Sequence, residues 1–123
     1  MSERLYALRG ATSVPENSAA AILAATEELM AALIERNELA IDQFVSCIFT
    51  TTDDLNAEFP ALAARRLGFD RVPLICTREI DVPGSLPRVI RVLAHYYAPA
   101  GHVARHVYLG EARNLRADLD AAQ

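Results

Sequence analysis

Residues 72–97, VPLICTREIDVPGSLPRVIRVLAHYY, constrain this chain more than any other stretch. They hold two apolar runs of strand character, 72–76 and 89–93, joined by a polar segment containing Pro83, Gly84 and Pro87. Proline and glycine at that density forbid a continuous helix, so the runs are predicted to be separate strands. Cys76 and Glu79 lie at and just past the end of the first run. Arg91 lies inside the second, between Ile90 and Val92. Strand alternation puts Val89, Arg91 and Leu93 on one face and Ile90, Val92 and Ala94 on the other. An arginine in so apolar a strand either reaches water at an edge or is held against an anion, because burying it unpaired costs several kcal/mol.

The chain of 123 residues is 52% hydrophobic, enough for one domain with a full core, drawn over residues 1–123 without an internal boundary. Its net charge of −4 leaves no broad basic surface, which argues against nucleic acid and anionic membranes as partners. All 12 cationic side chains are arginine. Codon bias is the simplest source of that, but it means any anion is gripped by a guanidinium fork. Two cysteines, Cys47 and Cys76, make no disulfide framework, and the chain reads as reduced and cytoplasmic. His95, His102 and His106 form no recognised metal pattern, so no metal is predicted. No signal peptide is visible, and the Ala-rich segment 18–34 carries Glu27 and Glu28 and is too polar to span a bilayer.

The coarse order along the chain is strand, long helix, strand, short helix, then three strands. Residues 4–12 open as a strand that Gly10 is expected to end, leaving Arg9 at a strand terminus, where α/β folds tend to place ligand groups. A helix is predicted over 18–37, capped by Asn17 or Ser18, with an apolar stripe of Ile22, Leu29, Leu33 and Ile34. Residues 43–51 (QFVSCIFTT) read as a buried strand. Pro60 suits the first turn of a helix over 60–67 closed by Gly68, and Arg65 and Arg66 fall in its last turn, where cations suit the helix dipole. Residues 105–109 (RHVYL) form the last strand. The fold class is α+β, a mixed β-sheet with helices on one face and the other face in need of a cover.

No phosphate loop, nucleophile elbow or suggestive pair of carboxylates is present. Instead Arg9, Arg91 and Arg116 accompany Glu79, Cys76 and Tyr108, a set suited to recognising an acid that carries a hydroxyl. RLYALRGATSV, TTTDDLNAEFPALAARRLGF, VPLICTREIDVPGSLPRVIRVL and RHVYLGEARNLRADL follow one another in the chain. With the motifs RGAT, D-L-N-A-x-F-P-A, C-x-x-E-x-D-V and RHVYL, the sequence resembles the monofunctional chorismate mutases of the trimeric, pseudo-α/β-barrel type over nearly its whole length.

The resemblance implies a homotrimer with active sites between subunits, no cofactor, and a [3,3] rearrangement of chorismate to prephenate. It implies Arg91 at the breaking ether oxygen, Glu79 as acceptor for the ring hydroxyl with Cys76 beside it, and Arg9 and Tyr108 at the side-chain carboxylate. It further implies Phe59 and Arg65 from the neighbouring subunit, and Leu115 and Arg116 in a tail that closes over the ligand. The sequence departs from the family pattern at Leu62 and Ile75, where some relatives carry a Lys and a Thr that contact ligand. A competing expectation is a trimeric carboxylate-metabolite binding or imine-processing protein without mutase activity. Glu79 together with Arg91 speaks against it, since a mere carboxylate binder needs no hydroxyl acceptor opposite an ether-directed cation.

Overall fold

The structure, a computed structural model, describes residues 2–114. Strand β1 spans Glu3–Ser13 and runs straight through Gly10. Gly10 was expected to stop the strand; it stays within because the helix packed on this face needs a position without a side chain. A Cβ there would lie 3.2 Å from both Leu29 Cδ1 and Val92 Cγ1 and 3.3 Å from Leu33 Cδ1. Arg9 is therefore interior to a strand.

Helix α1 follows over Ala19–Arg36, its first turn capped by Ser18 Oγ, which accepts from the Ala21 amide at 3.1 Å. Asn17 instead ties the loop ahead of the second helix, its Oδ1 accepting from the Asn56 and Ala57 amides. Strand β2 is Phe44–Thr51 and helix α2 is Pro60–Arg66, with proline in the first turn as expected. Strand β3 is Leu74–Arg78, shifted from the expected 72–76, because the Val72 amide closes a turn onto the Phe69 carbonyl and Pro73 has no N–H to give.

Strand β4, Val89–Pro99, outruns its expected end at 93 because β1 pairs with it throughout, from Glu3 opposite Pro99 to Ser13 opposite Val89. Strand β5 is only Val107–Leu109. Arg105 is withdrawn from it by Asn37 at the end of α1, whose Oδ1 accepts the Arg105 amide at 2.7 Å and whose Nδ2 donates to the Arg105 carbonyl.

Among the described residues, five strands make one mixed sheet in the order β3-β2-β4-β1-β5, with β4 central, antiparallel to both neighbours, and the two edge pairs parallel. Helices α1 and α2 cover one face, where Ile22, Leu29 and Leu33 of α1 and Ala61 and Ala64 of α2 share a core with Leu8, Phe49 and Val92 of the sheet. The other face is open and apolar: Leu5, Leu93, Tyr97 and Ile75 are 53, 36, 46 and 59% exposed. Sheet faces this apolar are normally covered. No helix among the described residues is long and apolar enough to cross a membrane.

Candidate active site

Sheet register assembles the site. Alternation places Arg91 on the open face of β4 with Leu93. Across the ladders Arg91 lies opposite Thr50 of β2 on one side and Ala11 of β1 on the other, and Ala11 in turn lies opposite Tyr108 of β5. Thr50, Arg91, Ala11 and Tyr108 thus form one row across four strands. Arg9 stands in the next row, opposite Leu93.

Glu79 comes to this row from just past β3. Its amide donates to the Thr51 carbonyl at 2.9 Å, extending the parallel pairing by one bond and turning the carboxylate over the open face. There Thr50 Oγ1 donates to Glu79 Oε2, and Arg91 Nη1 lies 3.4 Å from Glu79 Oε1. A cavity of about 450 Å³ results, lined by Arg9, Ile48, Thr50, Glu79, Arg91 and Tyr108 among others. Two guanidinium groups, one carboxylate and a phenol converge on a largely apolar floor, an arrangement that fits a small polyanion bearing a hydroxyl.

Residues 5–119 match the family model for chorismate mutase type I. The chain belongs to the chorismate mutase type I family. Over 119 residues it is 50% identical to chorismate mutase AroH of Thermus thermophilus, a match covering 94% of this chain and 97% of that one. It is 39% identical over 115 residues to chorismate mutase AroH of Bacillus subtilis, covering 91% and 90%. Among solved structures, a chorismate mutase from Clostridium thermocellum superposes with a TM-score of 0.84 at 45% identity, covering 89% of this chain and 98% of that one.

In this chorismate mutase the residues expected at the site fall into two groups. Arg9, Glu79, Arg91 and Tyr108 line the first cavity together. Cys76 does not join them: it lies opposite Phe49, on the helix-covered side of β3, half-buried against the core. It lines a second groove, about 370 Å³, along the sheet edge with Phe59 and Pro60. Phe59 is exposed at the N-cap of α2. Leu62, Arg65 and Arg66 continue along the outer side of that short helix, because Pro60, Ala61, Ala63 and Ala64 take the buried side. Ile75 faces outward on the open face, opposite Ile48. Leu115 and Arg116 lie outside the described residues.

Thr50 is the residue that the sequence did not flag. Its partner Glu79 is 29 residues away, and only the β2–β3 register brings the two together. The cysteines differ in burial as well as place. Burial on the core side of β2 pushes the Cys47 thiol up to about 12. The histidines serve separate contacts: His102 Nε2 meets the Tyr96 hydroxyl at 2.7 Å, His95 Nδ1 meets Ser46 Oγ, and His106 Nδ1 accepts the Arg9 amide at 3.0 Å.

Proposed function

We propose that this chorismate mutase carries out its rearrangement in the cavity over Thr50, Arg91 and Tyr108, and that a neighbouring copy of the chain completes it. Conversion of chorismate to prephenate, a step of aromatic amino acid biosynthesis, is pericyclic: one C–O bond breaks while one C–C bond forms in a six-membered array. No proton is transferred and no nucleophile is consumed. The protein has two tasks, to hold the folded, chair-like conformer of a dicarboxylate and to oppose negative charge growing on the ether oxygen.

Arg9 and Tyr108 suit the side-chain carboxylate. Arg91, on the central strand, suits the ether oxygen and has donors enough to reach a carboxylate as well. Glu79 keeps lone pairs for the ring hydroxyl beyond those taken by Thr50 and Arg91. The observation that carries this reading is the placement of Arg91 and Glu79 as a contacting pair in the same cavity as Arg9 and Tyr108.

Two features support a cyclic trimer with shared sites. The open sheet face is apolar, and the second group of family-matched residues, Phe59, Cys76 and Arg65, lies away from the first on the same chain. Two unlike patches on one chain suit a head-to-tail contact, which forms a ring where the rotation between copies closes. Cys76 on this reading belongs to the neighbour's contribution with Phe59. Free thiols suit the cytoplasm. The direct test follows chorismate loss by ultraviolet absorbance with prephenate identified as product. Folded protein that leaves chorismate unchanged beyond the uncatalysed rate would refute the assignment.

A further inference from the structure

Strand β5 is three residues long, sits at the sheet edge, and carries Tyr108. So short an edge strand holds its place poorly by ladder bonds alone. Side chains pin it at both ends. Ahead of it, His106 Nδ1 accepts the Arg9 amide at 3.0 Å. Behind it, the Glu111 amide donates to Ser13 Oγ at 2.9 Å, and Gly110, with φ 58°, lies so close that a Cβ there would collide with that hydroxyl.

The first pin differs from the second in what it joins. An amide N–H can only donate, so His106 Nδ1 is unprotonated and accepts, and in the neutral ring the proton sits on Nε2. The bond stands where the β1–β5 ladder begins, one residue before Gly10 pairs with Val107. It grips the main chain of Arg9 itself, and Tyr108 follows His106 by two residues. This imidazole therefore joins the ladder in setting the two groups assigned to the substrate's side-chain carboxylate relative to each other, and it is the contact that acts directly on Arg9.

We propose that His106 is a positioning residue for substrate binding, acting through the Arg9 amide to fix the spacing of the Arg9 guanidinium and the Tyr108 hydroxyl. The proposal rests on the assignment of Arg9 and Tyr108 to a carboxylate. Its geometry makes a specific demand: the acceptor must occupy the place of Nδ1. The amide oxygen of asparagine falls near Nδ1, whereas that of glutamine falls nearer Nε2.

The experiment compares His106→Asn, His106→Gln, His106→Leu and Arg9→Ala by steady-state kinetics with chorismate. His106→Asn should keep KM within about threefold of wild type, while His106→Gln and His106→Leu raise KM about tenfold and leave kcat within about threefold, the pattern of lost uniform binding. In an Arg9→Ala background the His106→Leu penalty should largely vanish. Should His106→Leu fail to fold, the Asn and Gln pair carries the comparison. Equal KM values for Asn and Gln, or a fall in kcat alone, would make His106 an ordinary packing residue and overturn the inference. An Arg9→Ala variant with unaltered KM would instead overturn the carboxylate assignment beneath it.

Discussion

A salt bridge whose side chains keep 43% and 25% of their surface in solvent contributes at most about 1 kcal/mol to folding. The Arg91–Glu79 pair is therefore a poor stabilising device, which agrees with the proposed role of both groups at the site. Arg91→Ala should lower kcat by about 10²–10³, the usual loss for a donor aimed at developing charge. Arg91→Lys should recover little, since a point charge cannot span an ether oxygen and a carboxylate as a planar fork does. A variant within about threefold of wild type would return Arg91 to the role of a solvated strand residue. On the proposed reading Glu79 accepts hydrogen bonds and moves no proton. Glu79→Gln, which keeps an acceptor oxygen, should thus retain more activity than Glu79→Ala, and kcat should lack a bell between about pH 6 and 9. A sharp bell there would show that proton transfer limits turnover.

At the scale of elements, two neighbouring strands hold cysteines on the same helix-covered side at different depths, Cys47 on β2 and Cys76 on the edge strand β3. Cys47 faces the helices and its thiol is pushed up to about 12, whereas Cys76 is half-buried in the edge groove. Iodoacetamide at mildly alkaline pH should modify Cys76 in the folded protein and reach Cys47 only after unfolding, as peptide mass mapping would reveal. The same displacement couples folding to pH. A thiol raised in the folded state leaves stability intact below its ordinary value of 9.0, and stability then falls as pH climbs from there towards about 12. The buried Tyr96 hydroxyl is shifted in the same direction, so denaturant midpoints of Cys47→Ala against wild type across that range isolate the cysteine's share.

Element types and order were legible because their signals are local: the apolar stripe of α1, Pro60 at the start of α2, and the β-branched run of β2. What escaped the sequence depends on contacts distant in the chain. Gly10 reads as a terminator until α1 is laid over it, and Arg105 reads as strand until Asn37, 68 residues away, takes its main chain. Arg9, Glu79, Arg91 and Tyr108 could be named together, but Thr50 could not, and the separation of Cys76 from Glu79 follows from a face assignment that the two intervening residues do not reveal.

For the whole molecule, the proposed trimer turns on the sheet face left bare by the helices. If Arg91 and Arg65 serve one pocket from different chains, two crippled variants should repair each other. Arg91→Ala and Arg65→Glu, unfolded and refolded together in equal amounts, leave a pocket intact only where an Arg65→Glu chain supplies Arg91 and an Arg91→Ala chain supplies Arg65. Random mixing in a closed ring makes that about one pocket in four, so activity should rise to roughly a quarter of wild type. No rescue in verified mixed assemblies would confine both arginines to one chain or remove Arg65 from the site. Light scattering should accordingly give the mass of three chains at micromolar concentration. With the site shared as proposed, the bare face also changes what the cell controls. Leu93 lines the cavity and lies on that same exposed surface. An enzyme whose pocket is closed by its neighbour has a specific activity that depends on its own abundance: dilution below the assembly constant empties the cell of active sites before it empties it of protein. Mutations drifting onto this face are then filtered twice, once for assembly and once for turnover, whereas those on the outer side of α1 are filtered only for folding.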